Sequence, residues 1–62
     1  MTKIQDNTFA AACYDMNSIA DLEAALVEGP DEIDMTAWNL TPHEWEQQIK
    51  LAITAKREDA AR

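Results

Sequence analysis

The apolar positions of this chain fall into runs with helical spacing, with no strand signal of comparable strength. Phe9, Ala12, Cys13 and Met16 recur at intervals of three and four, the spacing that puts side chains on one helix face. Asn7 or Thr8 offers an N-cap oxygen just before them. Asp15, Asn17 and Ser18 then compete for backbone hydrogen bonds and weaken the pattern. A first helix is predicted over 8–16.

A second run follows in Ile19, Leu22, Ala25 and Leu26. Ser18-Ile19-Ala20-Asp21 resembles a capping box with Asp in place of Glu. Gly29 can take a left-handed position after the last turn, and Pro30 cannot continue a helix. The predicted span is 19–28. The apolar phase nearly carries through from 8 to 28, so one bent helix competes with two. The polar group at 15, 17 and 18 favours two, with the break near Asn17.

The third run is the best specified. Thr41-Pro42-His43-Glu44 is a capping box with proline at N1, and Leu40 with Trp45 forms a hydrophobic staple. Trp45, Ile49, Ala52 and Ile53 make the inward stripe, widened by Leu51 and Ala55. Glu46–Lys50 and Glu58–Arg62 are favourable pairs four apart. Acids sit near the start and bases near the end, as the helix dipole prefers. The predicted span is 42–59.

Residues 30–41 join the second and third of these helices. Asp34 can cap a short turn over Met35 to Trp38. Ile33, Met35, Trp38 and Leu40 are too apolar for a free linker and are expected to pack inward. The expected fold is all-α: a single small domain over 7–59 with three helices, or four short ones, and an apolar connector. Residues 1–6 and 60–62 are expected to fray.

Composition narrows the picture. The chain has 62 residues, a size at which folding hides only about 60% of the surface of the unfolded chain. One cysteine, Cys13, cannot form an internal disulfide and fits a reducing, cytoplasmic setting. The N-terminus carries no apolar signal-peptide core. No apolar stretch approaches the ~20 residues a membrane span needs. Asn39-Leu40-Thr41 matches a glycosylation sequon, but Pro42 directly after it makes a poor acceptor.

Charge is lopsided. Twelve acids face five bases for a net −7. Residues 1–46 hold ten acids and Lys3 alone; Lys50, Lys56, Arg57 and Arg62 cluster behind them. The acidic part repels nucleic acid phosphates and anionic membranes. Asp21, Glu23, Glu28, Asp31, Glu32 and Asp34 place six acids in fourteen residues with no base.

No catalytic pattern is complete in the sequence. His43-Glu44-Trp45-Glu46-Gln47 nearly spells the zinc-protease helix, but Gln47 stands where the second histidine must be. Cys13 and His43 would need to meet to act as nucleophile and base. A lone cysteine on an alanine-rich face more often packs as a small apolar residue. The single Gly29 excludes phosphate-cradling loops. From Asp31, the third, fifth and sixth positions of a calcium loop are Ile33, Met35 and Thr36, so that register fails. A DNA-reading helix beginning His43-Glu44 would first have to overcome phosphate repulsion. No catalytic residue, metal or cofactor is therefore expected.

The expected function is non-catalytic binding of another protein with a basic surface, as a regulator, adaptor or inhibitor of bacterial or phage type. Trp38 and Trp45 are the candidate anchors, and the six acids between Asp21 and Asp34 the candidate rim. One alternative is a DNA-mimicking decoy whose carboxylates occupy a nucleic-acid-binding groove. Another is a structural homodimer.

Overall fold

The computed structural model describes residues 2–61. Four helices follow one another: α1 Phe9–Met16, α2 Ile19–Glu28, α3 Glu32–Trp38 and α4 Pro42–Ala60. No strand occurs among the described residues. The fold is all-α, as the periodicity requires, and the connector supplies the fourth helix.

Each start is fixed by a side-chain oxygen. Thr8 Oγ1 accepts from the Ala11 N–H at 3.2 Å. Ser18 and Asp21 form the reciprocal box at the head of α2. Thr41 and Glu44 form it at the head of α4, with contacts of 3.2 and 3.0 Å. The break between α1 and α2 falls at Asn17, whose extended backbone ends α1 while its N–H still reaches the Cys13 carbonyl. Gly29 differs in detail from the expected left-handed stop. Its φ is 101° and its ψ 178°, a combination open essentially to glycine alone.

The connector departs furthest from expectation. Asp31, not Asp34, caps α3, its Oδ1 accepting from the Ile33 N–H at 2.8 Å. The helix thus begins almost a turn earlier, because Asp31 offers the same acceptor directly after Pro30. Asn39 closes α3 in the left-handed region at φ 54°, which asparagine tolerates better than most residues. The Leu40 N–H then reaches back to the Met35 carbonyl at 2.9 Å.

α4, with 19 residues and so about 28 Å long, is the spine on which the other helices lie. α1 and α2 pack along it most extensively, and α3 least. Phe9, Cys13, Leu22, Trp45, Ile49, Ala52 and Ile53 form the core, with Tyr14, Ile19, Ala25, Leu26, Met35 and Leu40 half-buried against it. Ala10 and Ala52 are wholly buried; their small side chains let α1 and α4 lie close. The Ala10 N–H donates to Gln48 Oε1 at 3.1 Å, pinning the head of α1 to α4. The Thr2 N–H donates to Glu58, which brings the start of the chain to the end of α4.

Two apolar expectations fail. Met16 is 81% exposed: it is the last residue of α1, and the turn's contacts with the core are made by Cys13 and Tyr14 instead. Ile33 is 78% exposed and Trp38 is only partly covered. Of the connector residues expected to turn inward, Met35 and Leu40 are half-buried against the core. The Glu46–Lys50 pair forms at 2.8 Å. The expected Glu58–Arg62 pair lies outside the described residues.

Candidate protein-binding surface

α3 has two apolar sides. Asp34, Met35 and Trp38 lie towards the body. Asp34 Oδ2 accepts from the Trp45 indole N–H at 3.4 Å, Met35 rests on the core, and the Trp38 ring sits 6.0 Å from the Phe9 ring at 49°. At about 100° per residue, Ile33 points some 200° away from Met35. It therefore faces outward, with Thr36 and Ala37 beside it at spacings of three and four. These residues and Glu32 line a shallow, open groove.

The two tryptophans separate in role. Trp45 is 2% exposed and belongs to the core, so its ring is not a surface anchor. Trp38 keeps a solvent-facing edge at the far end of α3. The sequence signal for Ile33 lay in phase: once the connector is read as a helix, Ile33 and Met35 cannot share a face.

The six acids divide between local structure and open surface. Asp21 and Asp31 cap helices. Glu23 meets Arg57 at 3.2 Å, both side chains well exposed. Asp34 turns towards Trp45 and raises the Cys13 thiol pKa by its charge. Glu28 and Glu32 are exposed on either side of Gly29–Asp31. No Lys or Arg occurs between Lys3 and Lys50, so α2 and α3 carry no cation of their own, and the cations described against the body of the fold come from α4. There Lys50 is paired with Glu46, Arg57 with Glu23, and Lys56 Nζ donates to the Tyr14 carbonyl at 2.8 Å while lying over the Tyr14 ring.

The reactive residue types stand apart from this surface. Cys13 is 3% exposed, and its thiol is pushed up to about 11, first by burial and then by the Asp34 charge. At neutral pH it is a protonated thiol inside the core, the state least suited to attack. His43 is exposed in the first turn of α4. Among the described residues no three His, Cys, Asp or Glu side chains are grouped to hold a metal ion. A separate cleft of about 270 Å³ lies between the N-terminal residues, α1 and the end of α4, lined in part by Asp6, Tyr14, Asp15 and Asp59. No helix among the described residues is long and apolar enough to cross a membrane.

Comparison with protein families, curated proteins and solved structures gives no match.

Proposed function

We propose that this chain is a non-catalytic binding protein that engages another protein through the outer face of α3. The observation that carries this reading is Ile33: a large apolar side chain, 78% exposed, held on a short helix between Glu32 and Asp34. Covering such a residue gives back hydrophobic free energy of about 1.5–3 kcal/mol if it is fully buried. The acids around it steer approach towards a basic surface and away from acidic ones. The buried, protonated Cys13 supports a role without turnover and fits a reducing, cytoplasmic setting.

A decoy for nucleic acid is the second reading, favoured by the lack of any base from residue 4 to residue 49. The two separate on one experiment. The chain and its Ile33→Asp variant are used to capture partners from cells that make it, at low and at moderate salt. Apolar docking predicts a partner that is retained at moderate salt and lost with Ile33→Asp. A decoy predicts the reverse, since charge–charge affinity falls steeply with salt and an added carboxylate does it no harm. Ile33 is the second residue of α3, where an acid suits the helix dipole, so lost capture would not report unfolding.

A further inference from the structure

We propose that the groove on α3 receives a basic amphipathic helix of the partner protein. The proposal rests on the binding reading above and adds the chemistry and shape of what binds. Ile33, Thr36 and Ala37 present one larger side chain beside two small ones. That relief lets a second helix approach to about 8–10 Å between axes and seat an apolar residue beside Ile33. α3 offers no free backbone edge, so an extended strand gains no ladder of hydrogen bonds there.

Charge selects the occupant. Glu32 lines the groove, and Asp31 and Glu28 precede it with no base in their stretch of chain. Drying these carboxylates without a cation is costly. A helix with Lys or Arg flanking its apolar stripe supplies the missing charge. A second copy of this chain does not fit: it would bring together two bodies of net −7, with Lys50 and Arg57 of each already paired internally.

The test is an NMR titration of the full chain with three synthetic peptides. The first is a Lys/Leu peptide with leucines at helical spacing; the second has the same composition with the stripe scrambled; the third replaces Lys by Glu. The first peptide is expected to shift the Ile33 methyls and the amides of 32–37. It should bind at least tenfold tighter than the second, and the third should not bind. Ile33→Ser should weaken the first at least tenfold, while Val27→Ser, at an equally exposed site on α2, should leave it within about twofold. Equal binding of the first two peptides would overturn the proposal by reducing it to charge attraction. So would shifts centred on the cleft near Asp6 and Asp15, or concentration-dependent shifts at Ile33 without peptide, which would make a second copy the occupant. If the peptides fail while Ile33→Asp still abolishes native capture, the binding reading stands and the basic helix falls. If Ile33 substitutions change neither, both fall.

Discussion

Single residues carry the clearest physical signatures. Glu44 is held below the usual glutamate range by hydrogen bonds to the Thr41 backbone and hydroxyl. Glu46 is held below it by the Lys50 ammonium. Glu44 is exposed and the Glu46 side chain about half-exposed, so their effect is open to solvent screening. The folded state binds these protons less readily than the unfolded chain. Their stabilisation is therefore complete above the ordinary glutamate pKa of about 4.3 and is lost as pH falls through the lower folded values. Carboxyl NMR titration should find both depressed. Thr41→Ala removes the hydroxyl but keeps the backbone N–H, so it should return Glu44 only part of the way and leave Glu46 low; Lys50→Ala should return Glu46 towards normal and leave Glu44 low. Losing the Thr41 cap should also destabilise the fold by about 1 kcal/mol, read from urea melts. Cys13 gives a second prediction. A thiol-modifying disulfide reagent should react with the native chain far more slowly than with the unfolded one, its rate following opening of the core. Fast reaction of the folded chain at neutral pH would contradict the placement of Cys13.

At the scale of elements, the caps and stripes of α1, α2 and α4 were legible because each signal is local: an oxygen, a proline or glycine, and apolar residues in phase. α3 was less so. Asp31 and Asp34 are equally good caps by residue type; the place of Asp31 directly after Pro30 and the contact of Asp34 with Trp45 separate them. Apolar content alone points Ile33 inward, whereas helical phase turns it away from Met35. Nothing in the local pattern around Ala10 announces that Gln48, 38 positions away, will meet its N–H. Packing also sets what each element contributes. Trp45→Ala should cost about 3–5 kcal/mol, comparable with the roughly 3–9 kcal/mol expected for 62 residues, and should largely unfold the chain by circular dichroism. α3 is tied down by the Asp34–Trp45 contact, the Phe9–Trp38 rings and the half-buried Met35. Its amides should exchange with solvent faster than those of α4 around Ile49 to Ile53. Trp38→Ala should speed exchange in α3 further while changing α4 little.

For the whole molecule, the excess of acids sets both stability and association. Like charges crowd a body only 34 × 24 × 18 Å, within a few screening lengths of about 8 Å at physiological salt. Raising salt from very low levels to the physiological range should therefore raise the melting temperature, as self-repulsion is screened. The same repulsion should keep the chain monomeric in low-salt sedimentation, while an apolar face remains open for a partner of opposite sign. Whether that face is the working surface is decided most directly by hydrogen exchange on the captured native complex. The account predicts protection of the amides from Asp31 to Trp38 on binding, with the exposed end of α1 and the head of α4 unchanged. Protection confined to other surfaces, with α3 exchanging as fast in the complex as alone, would contradict it.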